Sequence, residues 1–131
     1  PAGDVPEPFV DVEDIADVAF AALTDDGHAG EVYELTGPRA LRLDEAVAEI
    51  AAATGRALRF TRVTPEEYAA SAPPELADLV LFLFTELLDG RNAEPQDGVQ
   101  RALGRPPRDF AAYARRTAAT GAWNLKVPGT L

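Results

Sequence analysis

Four carboxylates crowd one short stretch of this chain: Asp11, Glu13, Asp14 and Asp17. Carboxylates so close together can hold a cation or act as a proton donor and acceptor pair. The same spacing has a plainer reading. Asp11 stands where a helix N-cap is needed, and Asp14 falls in the first turn, where negative charge complements the positive end of the helix dipole. This favours a solvated acidic face over a catalytic or cation-binding cluster.

The other reactive side chains are few. There is no cysteine, so no disulfide framework, thiolate metal site or cysteine nucleophile. The single histidine, His28, lies between Gly27 and Ala29 in a turn, which suits a surface role and leaves no imidazole cluster for a metal. Ser71, His28 and an aspartate formally compose a triad, but Ser71 has no nucleophile-elbow context and reads as part of a helix start. Tyr68, Phe82 and Phe84 could line an apolar substrate pocket. Ordinary core or interface packing is the competing account of all three.

The elements that must position these groups are mostly helices. Asp11 caps a first helix whose buried face is expected to hold Ile15, Val18, Ala19, Ala22 and Leu23. Asp44 starts a second, with Val47, Ile50 and Ala51 inward and Gly55 closing it. Thr64-Pro65-Glu66-Glu67 combines N-cap threonine, N1 proline and N3 glutamate, a strong start for a short helix carrying Tyr68. Pro74 to about Asp89 is apolar nearly all round, so it should be buried on more than one side. Asp97-Gly98-Val99-Gln100 reads as a further capping box, and Phe110, Tyr113, Ala114, Thr117 and Ala118 mark a last amphipathic helix. Strands are expected at Phe9-Val10, at Glu31 to Thr36 with Tyr33 and Leu35 inward, and at Ala57 to Val63 with Leu58 and Phe60 inward. Trp123 falls in a terminal tail expected to be loosely held.

At 131 residues and 47% hydrophobic, the chain suits one compact domain with a real core. The longest apolar run, Leu79 to Phe84, is far below the roughly 20 residues that span a bilayer. The net charge of −10 argues against nucleic acid and anionic membranes as partners. That charge is uneven: residues 1–54 carry 13 acids against 2 arginines, and residues 55–131 carry 9 acids against 10 bases. An acidic face beside a neutral one is the simple reading. The other is that the later arginines meet an acidic partner surface. Alanine and arginine abundance with one lysine suggests a bacterial source, and the missing cysteines suit a reducing cytoplasm.

Three stretches in order carry a family resemblance: Pro8-Phe9-Val10-Asp11-Val12-Glu13-Asp14-Ile15-Ala16-Asp17-Val18-Ala19, then Gly30-Glu31-Val32-Tyr33-Glu34-Leu35-Thr36-Gly37-Pro38, then the Asp97 to Phe110 segment containing Leu103-Gly104-Arg105-Pro106-Pro107-Arg108. Together they resemble the C-terminal, substrate-side part of an NmrA-like, atypical short-chain dehydrogenase/reductase. The likeness covers roughly residues 5–123. It implies a Rossmann-type NAD(P)-binding parent that acts on a small carbonyl or quinone-like compound, or that senses the dinucleotide without turning it over. It also implies that the segment before the first helix borders the active cleft, which makes Pro8 and Phe9 candidates for substrate contact.

The family's glycine-rich fingerprint, which lets the backbone approach the pyrophosphate at a helix N-terminus, is missing here. Tyr33, Tyr68 and Tyr113 have no lysine four residues on, so the Tyr-x-x-x-Lys pair of ordinary short-chain dehydrogenases is missing too, as in many atypical members. The expected architecture is therefore mixed α/β and helix-rich: the C-terminal half of a Rossmann-type reductase with a few short strands and no nucleotide-binding half. Residues 1–40 would end the Rossmann-like part, 41–121 form a helical substrate-side subdomain, and 122–131 a tail. No cofactor is expected on this chain alone, NAD(P) being implied for the full-length parent, and no catalytic residue is assigned. Expected partners are a small-molecule substrate and either the missing N-terminal half or a second copy packed on the Pro74–Asp89 helix. A free-standing binding or oligomerisation module is the remaining alternative.

Overall fold

The computed structural model describes residues 2–124. Helix α1 spans Val12–Thr24, α2 Leu43–Thr54, α3 Pro65–Ser71, α4 Pro74–Phe82, α5 Gly98–Leu103 and α6 Phe110–Ala119. Helix α2 packs on α6, α1 on α5, and α3 on α4.

The helix starts follow from local chemistry. Asp11 accepts the Glu13 N–H at 3.0 Å, satisfying one of the orphan donors at the head of α1. Thr64 and Glu67 form the reciprocal box, with N–H donations at 3.1 Å to the threonine hydroxyl and 2.7 Å to the glutamate. Asp109 accepts from Ala111 at 2.8 Å to open α6. Asp97 does not behave as expected. Its backbone sits at φ −95°, ψ 9° rather than in the extended region a capping side chain needs, and its carboxylate makes no cap bond. Ser71 lies at the end of α3, not at a start, its hydroxyl donating to the Tyr68 carbonyl at 3.1 Å.

The expected strands are the main correction. Among the described residues the only pairing of this kind is a single antiparallel bridge, in which Glu7 and Leu41 exchange N–H donations at 2.9 and 3.0 Å. Residues 31–36 and 57–63 run without a ladder. A strand is completed by a neighbour, and these segments have none among the described residues. The period of two survives regardless: Tyr33 and Leu35 are half-buried while Val32 and Glu34 face out. The helix-rich half of the expectation stands, and the architecture is α-helical with extended connections.

Two glycines fix how those connections meet. Gly37 donates to the Pro8 carbonyl at 3.0 Å, and a Cβ there would strike the Phe9 carbonyl. A Cβ on Gly98 would run into the Glu34 backbone, so α5 lies directly on the 31–36 segment. Near the C-terminus an aromatic row links Phe9 to Phe110 (5.4 Å), Phe110 to Tyr113 (5.7 Å) and Tyr113 to Trp123 (6.0 Å). Arg56 also donates to the Trp123 carbonyl at 2.8 Å, so this tryptophan is held rather than loose. The rest of the expected tail, residues 125–131, lies outside the described residues.

Helix α1 is turned relative to its apolar pattern. Asp14, Val18 and Ala21 are its buried residues. Of the expected inner face only Val18 is buried; Ile15 is 43% and Leu23 86% exposed. The α4 region is also open. Leu76, Leu79, Phe82, Leu83 and Leu87 are all exposed, against the expectation of burial on more than one side. Among the described residues no further element lies across that face.

Candidate functional site

The cleft of interest begins at the Glu7–Leu41 bridge. Pro6 and Pro8 keep the entry extended, and the bridge pins Glu7 beside Leu41. Opposite, the chain leaves α4 through a π-helical turn, Leu83–Leu87. The Leu88 N–H reaches back five residues to the Leu83 carbonyl at 2.9 Å. The Thr85 hydroxyl donates to the Leu81 carbonyl at 2.9 Å, a side-chain bond that competes with the ordinary ladder. The widened turn carries Leu83, Phe84 and Leu88 to the cleft. Such turns recur at functional sites.

The result is a cleft of about 470 Å³, bounded by Val5, Glu7, Pro8, Phe9, Val10, Leu41, Leu43, Leu83, Phe84 and Leu88, with Ala2 and Gly3 at its edge. Its size and apolar lining match small-molecule sites. Of the residues singled out in the sequence, Pro8, Phe9 and Phe84 come together here. Tyr68 and Phe82 are not part of it. Tyr68 is half-buried on α3, and Phe82 is 51% exposed on α4.

Glu7 is the residue that sequence reasoning missed. Among the described residues lining the cleft it is the only ionisable one, and it also borders a second, polar pocket with Thr36, Arg91 and Asn92. Its Oε1 atom is buried without a hydrogen-bond partner. Burial, aided by the nearby charge of Asp89, pushes its carboxyl above the ordinary range. A faint signal existed: an acid set between two prolines immediately before an apolar segment.

The acidic cluster has a different role. Asp14 is fully buried and Asp11 nearly so, which overturns the solvated face for these two, while Glu13 stays exposed and Asp17 half-exposed. Arg105 reaches Asp14 at 2.8 Å and Asp17 at 2.6 Å. Arg108 bonds to Asp14 and, at 3.0 Å, to Asp17. Arg116 reaches Asp11 at 2.6 Å. The later arginines thus meet the acidic helix of their own chain. Hydrogen bonds from Arg108 and Arg105 hold the Asp17 carboxyl below its usual value. At Asp11, burial pulls upward, but the Arg116 and Glu13 donors outweigh it and the carboxyl is lowered. With its lone pairs taken by guanidinium groups, the cluster is a brace between α1 and the 104–116 region. His28 is likewise engaged, its Nδ1 at 2.8 Å from the Tyr33 hydroxyl, with Arg101 over the Tyr33 ring at 5.3 Å.

These residues do not fit a dinucleotide. Gly27, Gly30, Gly55, Gly90, Gly104 and Gly121 serve left-handed turns, and Gly37 and Gly98 are closed off by protein backbone. The heads of α1 and α2 carry Glu13 with Asp14 and Asp44 with Glu45, which would repel a pyrophosphate. Nor is any described helix long and apolar enough to cross a membrane.

Comparison with known proteins places this architecture. Over 124 residues the chain is 36% identical to the NAD(P)H azoreductase of Xenophilus azovorans, covering 91% of this chain and 43% of that protein. It is 35% identical over 116 residues to a reductase of Streptomyces griseus that acts on (4-alkanoyl-5-oxo-2,5-dihydrofuran-3-yl)methyl phosphate, covering 86% of this chain and 41% of that one. The chain is a counterpart of the C-terminal part of NAD(P)-dependent reductases such as these. The fold agrees. The NADPH-dependent quinone oxidoreductase QOR2 of Escherichia coli superposes with a TM-score of 0.72 at 24% identity, over 87% of this chain and 43% of that one. Citrobacter sp. triphenylmethane reductase gives 0.73 at 19% identity, over 91% and 42%. The chain therefore spans less than half the length of the relatives it matches. No family model matches it.

Proposed function

We propose that this chain forms the substrate-binding part of an NAD(P)-dependent oxidoreductase that reduces a small carbonyl or quinone-like compound, with the dinucleotide held by residues outside this sequence. The observation that carries the reading is the apolar cleft at Pro8, Phe9 and Phe84, in a chain whose described glycines and whose α1 and α2 heads offer no pyrophosphate cradle. Relatives named for azo-compound and furanone-phosphate reduction support the reaction class. On this reading the chain alone is catalytically silent. A reducing cytoplasmic setting accords with a cysteine-free chain.

The test compares this chain with the full-length protein. Calorimetric titration with NADPH and NADH should show binding by the full-length protein and none by residues 1–131. A quinone added to the full-length protein should oxidise the bound cofactor, followed by loss of the reduced nicotinamide absorbance. Tight binding of NADPH by this chain alone, or a full-length protein inert with every carbonyl and quinone acceptor, would overturn the proposal.

A further inference from the structure

The helices fall into two groups. Helices α1, α2, α5 and α6 are tied together. The arginine brace joins α1 to the 104–116 region, and Arg39 bridges Glu49 of α2 at 2.5 Å and Asp109 at the head of α6 at 2.6 Å. Helices α3 and α4 and the π-helical turn pack on one another, and among the described residues none of them packs on the other four helices. Nor, among the described residues, does a hydrogen bond or ion pair run from residues 65–88 to that braced group. Their polar bonds stay local or reach a flanking segment, as from Arg91 to the Glu86 carbonyl at 3.3 Å. What lies between the two groups is the apolar cleft, with Leu83, Phe84 and Leu88 on one side and Phe9, Leu41 and Leu43 on the other.

The connections at either end suit a hinge. Residues 57–63 are extended without a ladder, after Gly55 at φ 66°. The ion pairs of Arg62 with Asp4 and Asp44 along this connection involve exposed side chains and hold weakly. At the other end the chain leaves the π-helical turn through Leu88 at φ −88°, ψ 60° and Gly90 at φ 97°. Hinges are a few loop or element-terminal residues of this kind, which absorb the backbone rotation.

We infer that α3, α4 and the π-helical turn form a lid that swings as one unit on these connections and closes over the apolar cleft when a ligand fills it. The inference rests on the reading of this cleft as the substrate site. Across an unfilled cleft of about 470 Å³ the two walls attract each other little, because dispersion falls steeply with a gap. An apolar ligand between them supplies contacts to both walls at once. It therefore binds the closed form better than the open one, and that difference in affinity is what shifts such an equilibrium. In the reductase reading, closure also expels water from the site of reduction.

The chain has no cysteine, so introduced pairs are its only sites for thiol-directed spin labels. Double electron–electron resonance on residues 1–131, diluted with unlabelled chain so that only distances within one molecule are read, compares three pairs at exposed positions. Asp78→Cys with Ala52→Cys spans lid and braced group. Glu66→Cys with Asp78→Cys lies inside the lid, and Ala52→Cys with Arg115→Cys inside the braced group. Circular dichroism establishes that each variant keeps its helices. Without ligand the spanning pair should give a distance distribution about twice as broad as the other two. Saturating 2-acetonaphthone, an apolar carbonyl compound whose binding is measured separately by equilibrium dialysis, should narrow it to their width. A spanning distribution as narrow as the other two before the ketone is added, or unchanged once the ketone is bound, overturns the lid and leaves the cleft reading in place. A broad distribution for the pair inside the lid overturns it too, because the helices would then be unravelling rather than swinging. If the ketone does not bind, the cleft reading fails and the lid with it.

Discussion

Arg108 closes on Asp14 twice: its backbone N–H donates to one carboxylate oxygen at 2.7 Å, and its guanidinium bonds to the other. Asp14 is fully buried in the first turn of α1, so its charge is tolerated only because both oxygens are answered. The partners stand 94 residues apart in sequence. The contact therefore joins the two ends of the chain, and it holds α1 with Asp14 inward beside Val18 and Ala21 and with Ile15, Phe20 and Leu23 outward.

Asp14→Asn preserves shape but removes the charge that Arg105 and Arg108 share. Breaking a buried pair from one side costs about 3–5 kcal/mol, and the partial exposure of both arginines puts the expected loss near the lower end, about 3 kcal/mol. Urea unfolding of the two proteins, followed by circular dichroism, measures the difference. A loss below about 0.5 kcal/mol, the range of an ordinary surface change, would show that the brace carries no stability.

Arg116→Gln tests the same brace through pH. Asp11 is lowered in the folded chain, so its pairing stabilises fully above the unfolded carboxyl value of 3.8 and is lost as pH falls through the lower folded value. At neutral pH the variant should unfold more easily by about 1 kcal/mol, since Arg116 is itself partly exposed. In acid, once Asp11 is protonated in both proteins, that gap should close. Urea midpoints collected from neutral pH down to about pH 2 would show the convergence; a gap that is constant with pH would assign the loss to packing instead.

How much of this was readable beforehand depended on the range of the interactions. Thr64, Pro65 and Glu67 announce α3 because a capping box is complete within four residues. Gly55 announces the end of α2 because a left-handed φ of 66° is a local need. The buried face of α1 was misread for the opposite reason. Its apolar spacing favoured Ile15 and Leu23 inward, and nothing near Asp14 in sequence shows that arginines 105 and 108 will meet it. The strands failed likewise, since alternation at 31–36 sets which side chains face in but cannot supply a neighbouring strand. At the cleft, Pro8, Phe9 and Phe84 could be singled out by type and by family likeness. Glu7 and the π-helical turn depend on how distant segments meet, and neither follows a periodic pattern.

Gly98→Ala sets helix propensity against packing. In an open helix the change would stabilise by up to about 1 kcal/mol. Here the new Cβ would lie 2.7 Å from the Glu34 carbonyl carbon and 2.9 Å from its nitrogen, contacts that force α5 off the 31–36 segment. Overpacking of this kind costs about 1–3 kcal/mol. Differential scanning calorimetry should therefore show a lower Tm for the variant. A raised Tm would mean that α5 and the 31–36 segment are not in the contact described.

The exposed row Leu76, Leu79, Phe82, Leu83 and Leu87 is the last place where the chain commits itself. An apolar row of this kind is unusual on an isolated monomer, and we propose that it is a surface that meets other protein. With less than half the length of its relatives present, a second copy is the cover available to the purified chain. Residues 1–131 should accordingly show a mass above the monomer in sedimentation velocity at micromolar concentration. Leu79→Glu combined with Phe82→Glu should restore the monomer, because each buried side chain of this kind contributes about 1.5–3 kcal/mol to association. Both residues are exposed within one chain, so folding stability should change by no more than about 0.5 kcal/mol for each. A chain that sediments as a monomer before any substitution would remove self-association from the account, and a variant that stays associated would move the contact to the other exposed apolar face, at Phe20 and Leu23 of α1.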